Sequence, residues 1–219
     1  MKKNINNNKR RKFLGLFSIF LLNTSSFSKM FKFKSKRIAL CVGHNQYAKG
    51  AIGNCNINEY DFNKKLLIEI VNELDDTYSN KNVYKIFYRR GNVSYIHQQK
   101  ILHKEIQYWG NVDYAIEFHF NASHNNNVDG HEILYLSHEG KRIAIKLERK
   151  FNKYLRNRDR GVKLVSHYGR QFLNKGKYAS IIAEPFFASH QHCFVDGGKR
   201  REGLKKAYKE FLIELGDNK

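Results

Sequence analysis

The chain alternates short apolar runs with longer segments in which apolar residues recur every three or four positions. The short runs have the length of β-strands and lie at residues 37–42, 83–88, 114–120, 131–136, 162–165 and 179–187. The longer segments have the period of amphipathic helices and lie at residues 58–74, 94–108, 140–155 and 199–215. Such alternation is typical of an α/β sheet with crossover helices. We therefore predict a single-domain α/β fold, with a mixed, mostly parallel sheet of about six strands and helices on both faces.

Two of the predicted helices show which of their faces should be buried. The apolar positions of the first helix are Phe62, Leu66, Ile70 and Leu74, and those of the third are Ile143, Leu147, Phe151 and Leu155. Residues at this spacing lie on one side of an α-helix. Asparagine is a favourable N-cap, so Asn58 is predicted to begin the first helix. We expect both apolar faces to belong to the core.

The first 36 residues differ in pattern from the rest of the chain. A basic, asparagine-rich stretch up to Lys12 is followed by the apolar run Phe13–Leu22 and then by small polar residues up to Ser28. This order is typical of an export signal. As a helix the apolar run would span about 15 Å, half of a bilayer core, so we expect no stable membrane span. We predict an export signal and linker at residues 1–36 and one folded domain at residues 37–219.

A pair of arginines bears on the route of export. Arg10 and Arg11 precede a bulky apolar pair and resemble the twin-arginine export motif, although Lys9 and Gly15 depart from its usual pattern. The alternative is a basic tail that binds nucleic acid, but no basic residue lies within residues 13–28. We therefore expect an exported protein, either periplasmic or extracellular.

The composition excludes two classes of protein. In 219 residues there are 16 Phe, 13 Tyr and 41% hydrophobic residues, enough for a full-size core, so the chain is not wholly disordered. The three cysteines, Cys41, Cys55 and Cys193, are too few and odd in number for a disulfide framework. No CxxC or Cys/His finger spacing occurs among them, and we expect them to be buried as small apolar side chains.

The chain is strongly basic, with 40 Lys and Arg against 20 Asp and Glu and a net charge of +20. Eleven basic residues and no acidic ones lie in residues 1–37, which leaves +9 for the remainder. A positive surface attracts anionic polymers without regard to sequence, and salt weakens the attraction.

Candidate chemistry collects where the predicted strands end. His44 follows the first strand, His119 lies at the end of the third, Glu184 lies near the end of the sixth, and Glu59 opens the first helix. The carboxyl ends of parallel strands meet at one edge of a sheet, where ligands usually bind. Two histidines and a carboxylate can hold zinc with a position open for water, and a second carboxylate can take the proton of that water. The spacing alone is weakly specific, because the chain holds ten histidines and twenty acidic residues.

Four ordered segments resemble the zinc-dependent N-acetylmuramoyl-L-alanine amidases of peptidoglycan, in their amidase type 3 branch. Residues 38–44 are similar to the family's opening strand, which ends in a Gly-His ligand turn. Gly50-Ala51 with residues 58–63 resembles the glutamate ligand that opens a helix. Residues 116–122, with Gly130-His131-Glu132, resemble the second histidine block, and residues 181–187 resemble the last strand, which delivers the catalytic glutamate. The resemblance covers roughly residues 37–215.

This resemblance implies a zinc amidase catalytic domain that hydrolyses the amide between N-acetylmuramic acid and the first L-alanine of the stem peptide. The implied ligands of Zn²⁺ are His44, Glu59 and His119, and the implied catalytic residue is Glu184, as the base. Asn121 lies two residues after His119 and therefore points to the same side, where its amide could bind substrate.

The sequence departs from the family at three positions without losing a ligand. Val42 and Asn45 stand where the family often has a proline and a second glycine, and Pro185 stands where a small or hydroxyl residue is usual. Pro185 favours extended geometry at the residue before it. Glu117 shares a strand face with His119 and could support its imidazole or pair with a basic residue at the rim of the sheet. We leave Glu117 out of the predicted site.

Two alternatives stay open at this point. One is a non-catalytic basic domain that binds cell wall or nucleic acid, and the other is a different zinc amide hydrolase of related fold. A mere binding protein has no need of two histidines and two glutamates in matching places. We expect peptidoglycan as the substrate, anionic cell-wall polymers as partners by charge, no specific nucleic acid, and a monomer.

Overall fold

Six strands form one mixed sheet in the computed structural model, which describes residues 36–53, 57–77, 83–165, 170–190 and 199–217. The strands are β1 (Ile38–Val42), β2 (Tyr84–Tyr88), β3 (Tyr114–Phe118), β4 (His131–Tyr135), β5 (Asp159–Leu164) and β6 (Ala179–Glu184). Their order across the sheet is β2-β1-β3-β6-β4-β5. Neighbours run parallel except for β4 and β6, which are antiparallel. The predicted six-stranded, mostly parallel mixed sheet is confirmed.

Helices cover both faces of this sheet, as predicted. They are α1 (Glu59–Thr77), α2 (Tyr95–Trp109), α3 (His138–Tyr154), α4 (Arg170–Lys175) and α5 (Lys199–Gly216). Residues of α1, α3 and α5 form the core on one face, and residues of α2 and α4 form the core on the other. The sequence analysis missed α4, because its six residues are too few to show a helical period.

The predicted buried faces and the predicted cap are both present. All four predicted apolar positions of α1 and all four of the third helix are buried. The Oδ1 atom of Asn58 accepts a hydrogen bond from the backbone N–H of Asp61 at 2.8 Å, and its Nδ2 atom donates to the Asp61 carboxylate at 2.7 Å. This reciprocal pair satisfies a free N–H group of the first turn. It fixes the start of α1, and hence the position of Glu59.

Three strand boundaries differ from the prediction by two residues or more. β3 ends at Phe118 and β6 ends at Glu184, both before the predicted residues 120 and 187. Pro185 has no N–H group to donate to a neighbouring strand, which accounts for the end of β6. β5 begins at Asp159 rather than at residue 162. Its charged first residues lie at an open edge of the sheet, so apolar alternation does not reveal them.

The predicted export signal lies outside the described residues, apart from Lys36, and so do Cys55 and Cys193. The third cysteine, Cys41, is buried in β1 as predicted. Within the described ranges, none of the helices combines the length and the apolar character needed to cross a membrane.

Ion pairs attach α5 to its two neighbouring helices. Glu73 of α1 accepts hydrogen bonds from Lys209 at 2.5 Å and from Lys205 at 3.0 Å, and these lower the pKa of Glu73. Glu210 accepts a hydrogen bond from Tyr154 of α3, which with nearby lysines lowers the pKa of Glu210. The carboxylates therefore stabilise the packing of α5 in their ionised form.

We expect the unfolding temperature to fall as the pH is lowered from about 5 to about 3. A carboxyl group whose pKa is lower in the folded state stabilises the fold above its unfolded pKa, near 4.3 for glutamate, and loses that contribution as the pH falls through its folded pKa. Glu73 is partly exposed, so Glu73→Gln should remove less than about 1 kcal/mol at neutral pH and flatten the acid slope. Thermal melts followed by circular dichroism measure both effects, and identical slopes for the two proteins would contradict the assignment.

Candidate metal centre

The first predicted ligand, His44, follows β1 in a backbone conformation that is rare outside glycine. Its φ is +62°, which costs about 1 kcal/mol or more. The neighbouring Asn45 is buried, and its Oδ1 atom accepts hydrogen bonds from the N–H groups of Tyr47 at 2.9 Å and Ala48 at 3.0 Å. Asn45, one of the departures from the family pattern, thus closes the turn that carries His44.

The second predicted ligand, Glu59, is a buried carboxylate at the start of α1. The N–H group of Ala51 donates to its Oε2 atom at 3.2 Å, and the N–H group of Phe120 donates to its Oε1 atom at 3.1 Å. Gly50 has φ +79°, and a Cβ atom there would lie 2.5 Å from the Glu59 Oε2 atom. Only glycine fits at this position. The loop between β1 and α1 is therefore built around the carboxylate.

The structure brings the three predicted metal ligands together. The Nε2 atom of His44 lies 2.9 Å from Glu59 Oε2, and the Nδ1 atom of His119 lies 2.6 Å from Glu59 Oε1. Ligand atoms of the three residues all lie within 4.8 Å of one another. A Cβ atom on Gly43 would lie 2.6 Å from the His119 ring, so a glycine is needed for the ring to lie against β1. The proximity is established, and the role of these residues as ligands stays a prediction.

The charges in this cluster favour a cation. Burial opposes ionisation of Glu59, but hydrogen bonds to His119 and His44 outweigh it and lower the pKa of Glu59 to about 2. Burial also opposes protonation of His119, but Glu117 and Glu59 raise the pKa of His119 to about 10. The buried carboxylates thus require a positive charge, which a proton on His119 or a divalent ion can supply. Imidazole nitrogens with one carboxylate are a ligand set that suits Zn²⁺.

The predicted base, Glu184, lies at the same end of the sheet. β6 pairs with β3, and the His119 N–H group donates to the carbonyl of Ala183 at 3.0 Å. Burial raises the pKa of Glu184 to about 8, since the attraction of His119 does not offset burial and the nearby carboxylates. Among the described residues, the Glu184 Oε2 atom is buried without a hydrogen-bond partner. Glu184 does not belong to the three-residue cluster, but it lies close enough to interact electrostatically with His119 and Glu59.

Asn121, the predicted substrate-binding residue, contacts Glu132, a carboxylate to which the sequence analysis assigned no role. Its Nδ2 atom donates to Glu132 Oε1 at 3.1 Å, and Arg160 and Lys163 donate to Glu132 Oε2 at 2.7 Å and 2.6 Å. Glu132 reaches the site because β4 runs antiparallel to β6, which places the start of β4 beside Glu184. The sequence analysis could not place Glu132 because the direction of β4 cannot be read from the sequence pattern. The role of Asn121 in substrate binding stays a prediction.

A buried charged group beside His119 was also missed. It consists of Glu117, which the sequence analysis left out of the site, with Arg89 and Gln99. Arg89 directly follows β2, so the rule that polar residues at strand ends form sites could have singled it out.

A groove of about 1030 Å³ runs along the exposed edge of the sheet, at β2. Its lining includes Tyr47 from the loop after β1, Lys85 and Arg90 from β2 and its end, and Trp109 from α2. None of the three clustered ligands lines it, so this groove and the candidate metal centre are different places. The predicted attraction of anionic polymers stays a prediction, and this groove is one basic, aromatic surface on which it would act.

The fold and the cluster together define a class: an α/β domain with a His-Glu-His cluster at the carboxyl end of its sheet that could hold a cation, and a buried glutamate near it. Residues 38–194 match the sequence profile of the family described as N-acetylmuramoyl-L-alanine amidase, amidase type 3. The chain belongs to the N-acetylmuramoyl-L-alanine amidase family. The predicted family, and with it the predicted class of cell-wall hydrolase, is confirmed.

Solved structures agree with this assignment in fold. The catalytic domain of the CD27L endolysin targeting Clostridia difficile is 24% identical with a TM-score of 0.68, and the match covers 84% of this chain and 99% of that one. An N-acetylmuramoyl-L-alanine amidase from Clostridium difficile 630 is 19% identical with a TM-score of 0.66, over 84% and 99% of the chains. The catalytic domain of CwlV from Bacillus (Paenibacillus) polymyxa var. colistinus is 16% identical with a TM-score of 0.62, over 81% and 98%. A sequence search of curated proteins finds no match.

Proposed function

We propose that this chain is a zinc-dependent amidase that cleaves the bond between N-acetylmuramic acid and the L-alanine of the peptidoglycan stem peptide. The observation that carries the proposal is that ligand atoms of His44, Glu59 and His119 lie within 4.8 Å of one another, with the buried Glu184 carboxyl group close by. Family membership supplies the substrate class. The ligand chemistry of the three residues supplies the metal.

Each residue has a stated part in this reaction. His44, Glu59 and His119 would hold the ion, which when bound supplies Lewis acidity that favours deprotonation of water near pH 7 and polarises a carbonyl. Glu184 accepts a proton from the attacking water and delivers it to the leaving amide nitrogen. Burial raises the pKa of Glu184 above its ordinary value, which favours uptake of the proton, and the leaving nitrogen is the group to which the proton is then released.

The products of digested peptidoglycan test the proposal directly. Purified sacculi treated with the zinc-loaded protein should release stem peptides with a free L-alanine amine and glycan strands with intact lactyl carboxyl groups, as measured by mass spectrometry. A chelator should abolish the release, and added Zn²⁺ should restore it, because the ion supplies the Lewis acid.

Other product patterns would distinguish the alternatives. Cleavage between amino acids of the stem peptide would indicate a different zinc amide hydrolase of related fold. Binding to sacculi with no new products, with or without Zn²⁺, would indicate a binding domain. Release that persists in chelator would remove zinc from the proposal and leave the substrate assignment intact.

We also infer that the protein acts outside the cytoplasm, because its substrate class lies there. This supports the export signal predicted at residues 1–36. Sequencing the amino terminus of the mature protein would test whether this signal is removed. A chain that still begins at Met1 in the exported fraction would contradict its removal.

A further inference from the structure

Next to the candidate metal centre lies a buried group of charged and polar residues that the proposed reaction does not use. Arg89 is 7% exposed, Glu117 is 1% exposed and Gln99 is fully buried. Glu117 is the register partner of Cys41, a member of the apolar core under α2. Burying an ion pair costs several kcal/mol per ion, and an apolar replacement is often as stable or more so. The pair is therefore poorly explained by stability alone.

The contacts of this group lead to both histidine ligands. The Oε1 atom of Glu117 lies 3.5 Å from Arg89 Nε and accepts a hydrogen bond from Gln99 Nε2 at 3.2 Å. The Oε2 atom of Glu117 lies 3.4 Å from His119 Nε2. Arg89 Nε also donates to the backbone carbonyl of His44 at 3.2 Å. The Arg89–Glu117 ion pair thus contacts the ring of His119 and the backbone of His44.

The two nitrogens of the His119 ring face different partners. Nδ1 faces Glu59, on the side of the cluster, and Nε2 faces Glu117. A histidine that ligates a metal through one nitrogen commonly donates the N–H of the other to a carboxylate, which fixes its tautomer and orientation. Glu117 occupies the position of that carboxylate.

Arg89 has a related function at His44. The backbone of His44 has φ +62°, a conformation that needs support from its surroundings. The hydrogen bond from Arg89 to the His44 carbonyl gives such support at the residue itself. The same guanidinium balances the charge of the buried Glu117 carboxylate.

We infer that Arg89 and Glu117 are positioning residues of the metal centre: Glu117 orients the His119 ring through Nε2, and Arg89 holds the His44 backbone and keeps Glu117 in place. The inference rests on the proposed zinc site and deepens it. It predicts a dependence of metal affinity on two side chains that are not ligands.

The test uses variants that separate positioning from simple charge. Glu117→Gln removes a negative charge near the ion, and Arg89→Met removes a positive one. If charge alone mattered, the first would weaken zinc binding, the second would strengthen it, and the double variant would bind like the wild type. If the pair positions the ligands, all three should bind zinc more weakly. We expect a loss of about 10- to 100-fold for Glu117→Gln and for the double variant, the range found for outer partners of metal ligands.

Zinc affinity would be measured by competition with a chromophoric chelator, and the geometry by the visible d–d absorption of the Co²⁺-substituted protein. The absorption should change in each variant, which a purely structural role would not cause. Glu69→Gln is the matched control, because Glu69 pairs with the buried Arg201 through a 2.8 Å contact between α1 and α5, on the other face of the sheet. It should alter the unfolding temperature at most, and leave affinity and absorption unchanged.

The outcomes distinguish positioning of the ligands from an effect of charge alone. Tighter zinc binding by Arg89→Met, or wild-type affinity and absorption in the double variant, would overturn the inference. The double variant leaves no unpaired buried charge, so it serves if Arg89→Met fails to fold. If the wild-type protein itself binds no zinc, the proposed function fails. If the wild-type protein binds zinc and the variants bind it as tightly, only the positioning role of Arg89 and Glu117 fails.

Discussion

Replacing Glu184 with glutamine is expected to lower kcat by about 10²- to 10⁴-fold while the protein keeps its fold and its bound zinc. Glutamine has the shape of glutamate but cannot accept a proton from water. Glu184 lies outside the three-residue cluster, so the ligands are untouched by the change. The buried Oε2 atom has no hydrogen-bond partner among the described residues, so the substitution breaks no bond there.

Release of dye from labelled sacculi gives the rate, and zinc per chain gives the metal content. Glu69→Gln makes the same chemical change on α1, away from the site, and should retain the rate of the wild type. A Glu184→Gln protein with near wild-type turnover would remove Glu184 from the mechanism. A protein that loses zinc as well as activity would instead make Glu184 a ligand.

The second large effect is expected at the histidines. His44→Ala and His119→Ala should each reduce bound zinc from about one ion per chain to background, and activity should fall with it. Two protein ligands are too few to retain the ion in competition with a chelator. Metal content by atomic absorption, after dialysis against a weak chelator, measures the loss.

The two variants should differ in stability. His44 is partly exposed and contacts Glu59 with one nitrogen, whereas His119 contacts both Glu59 and Glu117. Removing His119 leaves the buried carboxylates of Glu59 and Glu117 short of a partner. The unfolding temperature of His119→Ala should therefore fall further than that of His44→Ala. His138→Ala, an exposed histidine of α3, is the control. Unchanged zinc content in both ligand variants would refute the ligand assignment.

The sequence was sufficient for the parts of the site that depend on strand ends. His44, His119 and Glu184 follow or end β1, β3 and β6, and those three strands are adjacent in the sheet. Apolar runs reveal strands, and parallel neighbours place their ends together. The cap at Asn58 is a local feature, so the position of Glu59 could be predicted as well.

The parts that could not be predicted depend on contacts between distant elements. From the sequence, Glu117 could either support the His119 ring or pair with a basic residue at the rim of the sheet. In the structure it contacts both His119 and Arg89. Its pairing with Arg89 requires that β2 and β3 both flank β1, an order that strand lengths do not reveal. Placing Glu132 near the site requires knowing that β4 runs antiparallel to β6, which the sequence pattern does not show. Periodicity indicates which residues are buried, but it does not indicate which buried polar residues meet.

The two outer strands of the sheet have a consequence for how the protein behaves when crowded. β2 carries the exposed Lys85, and β5 carries Asp159, Arg160 and Lys163. Charged side chains on open edges prevent strands of separate copies from joining into a continuous sheet. Copies of the protein at high local concentration can therefore lie side by side without aggregating through the edges of their sheets.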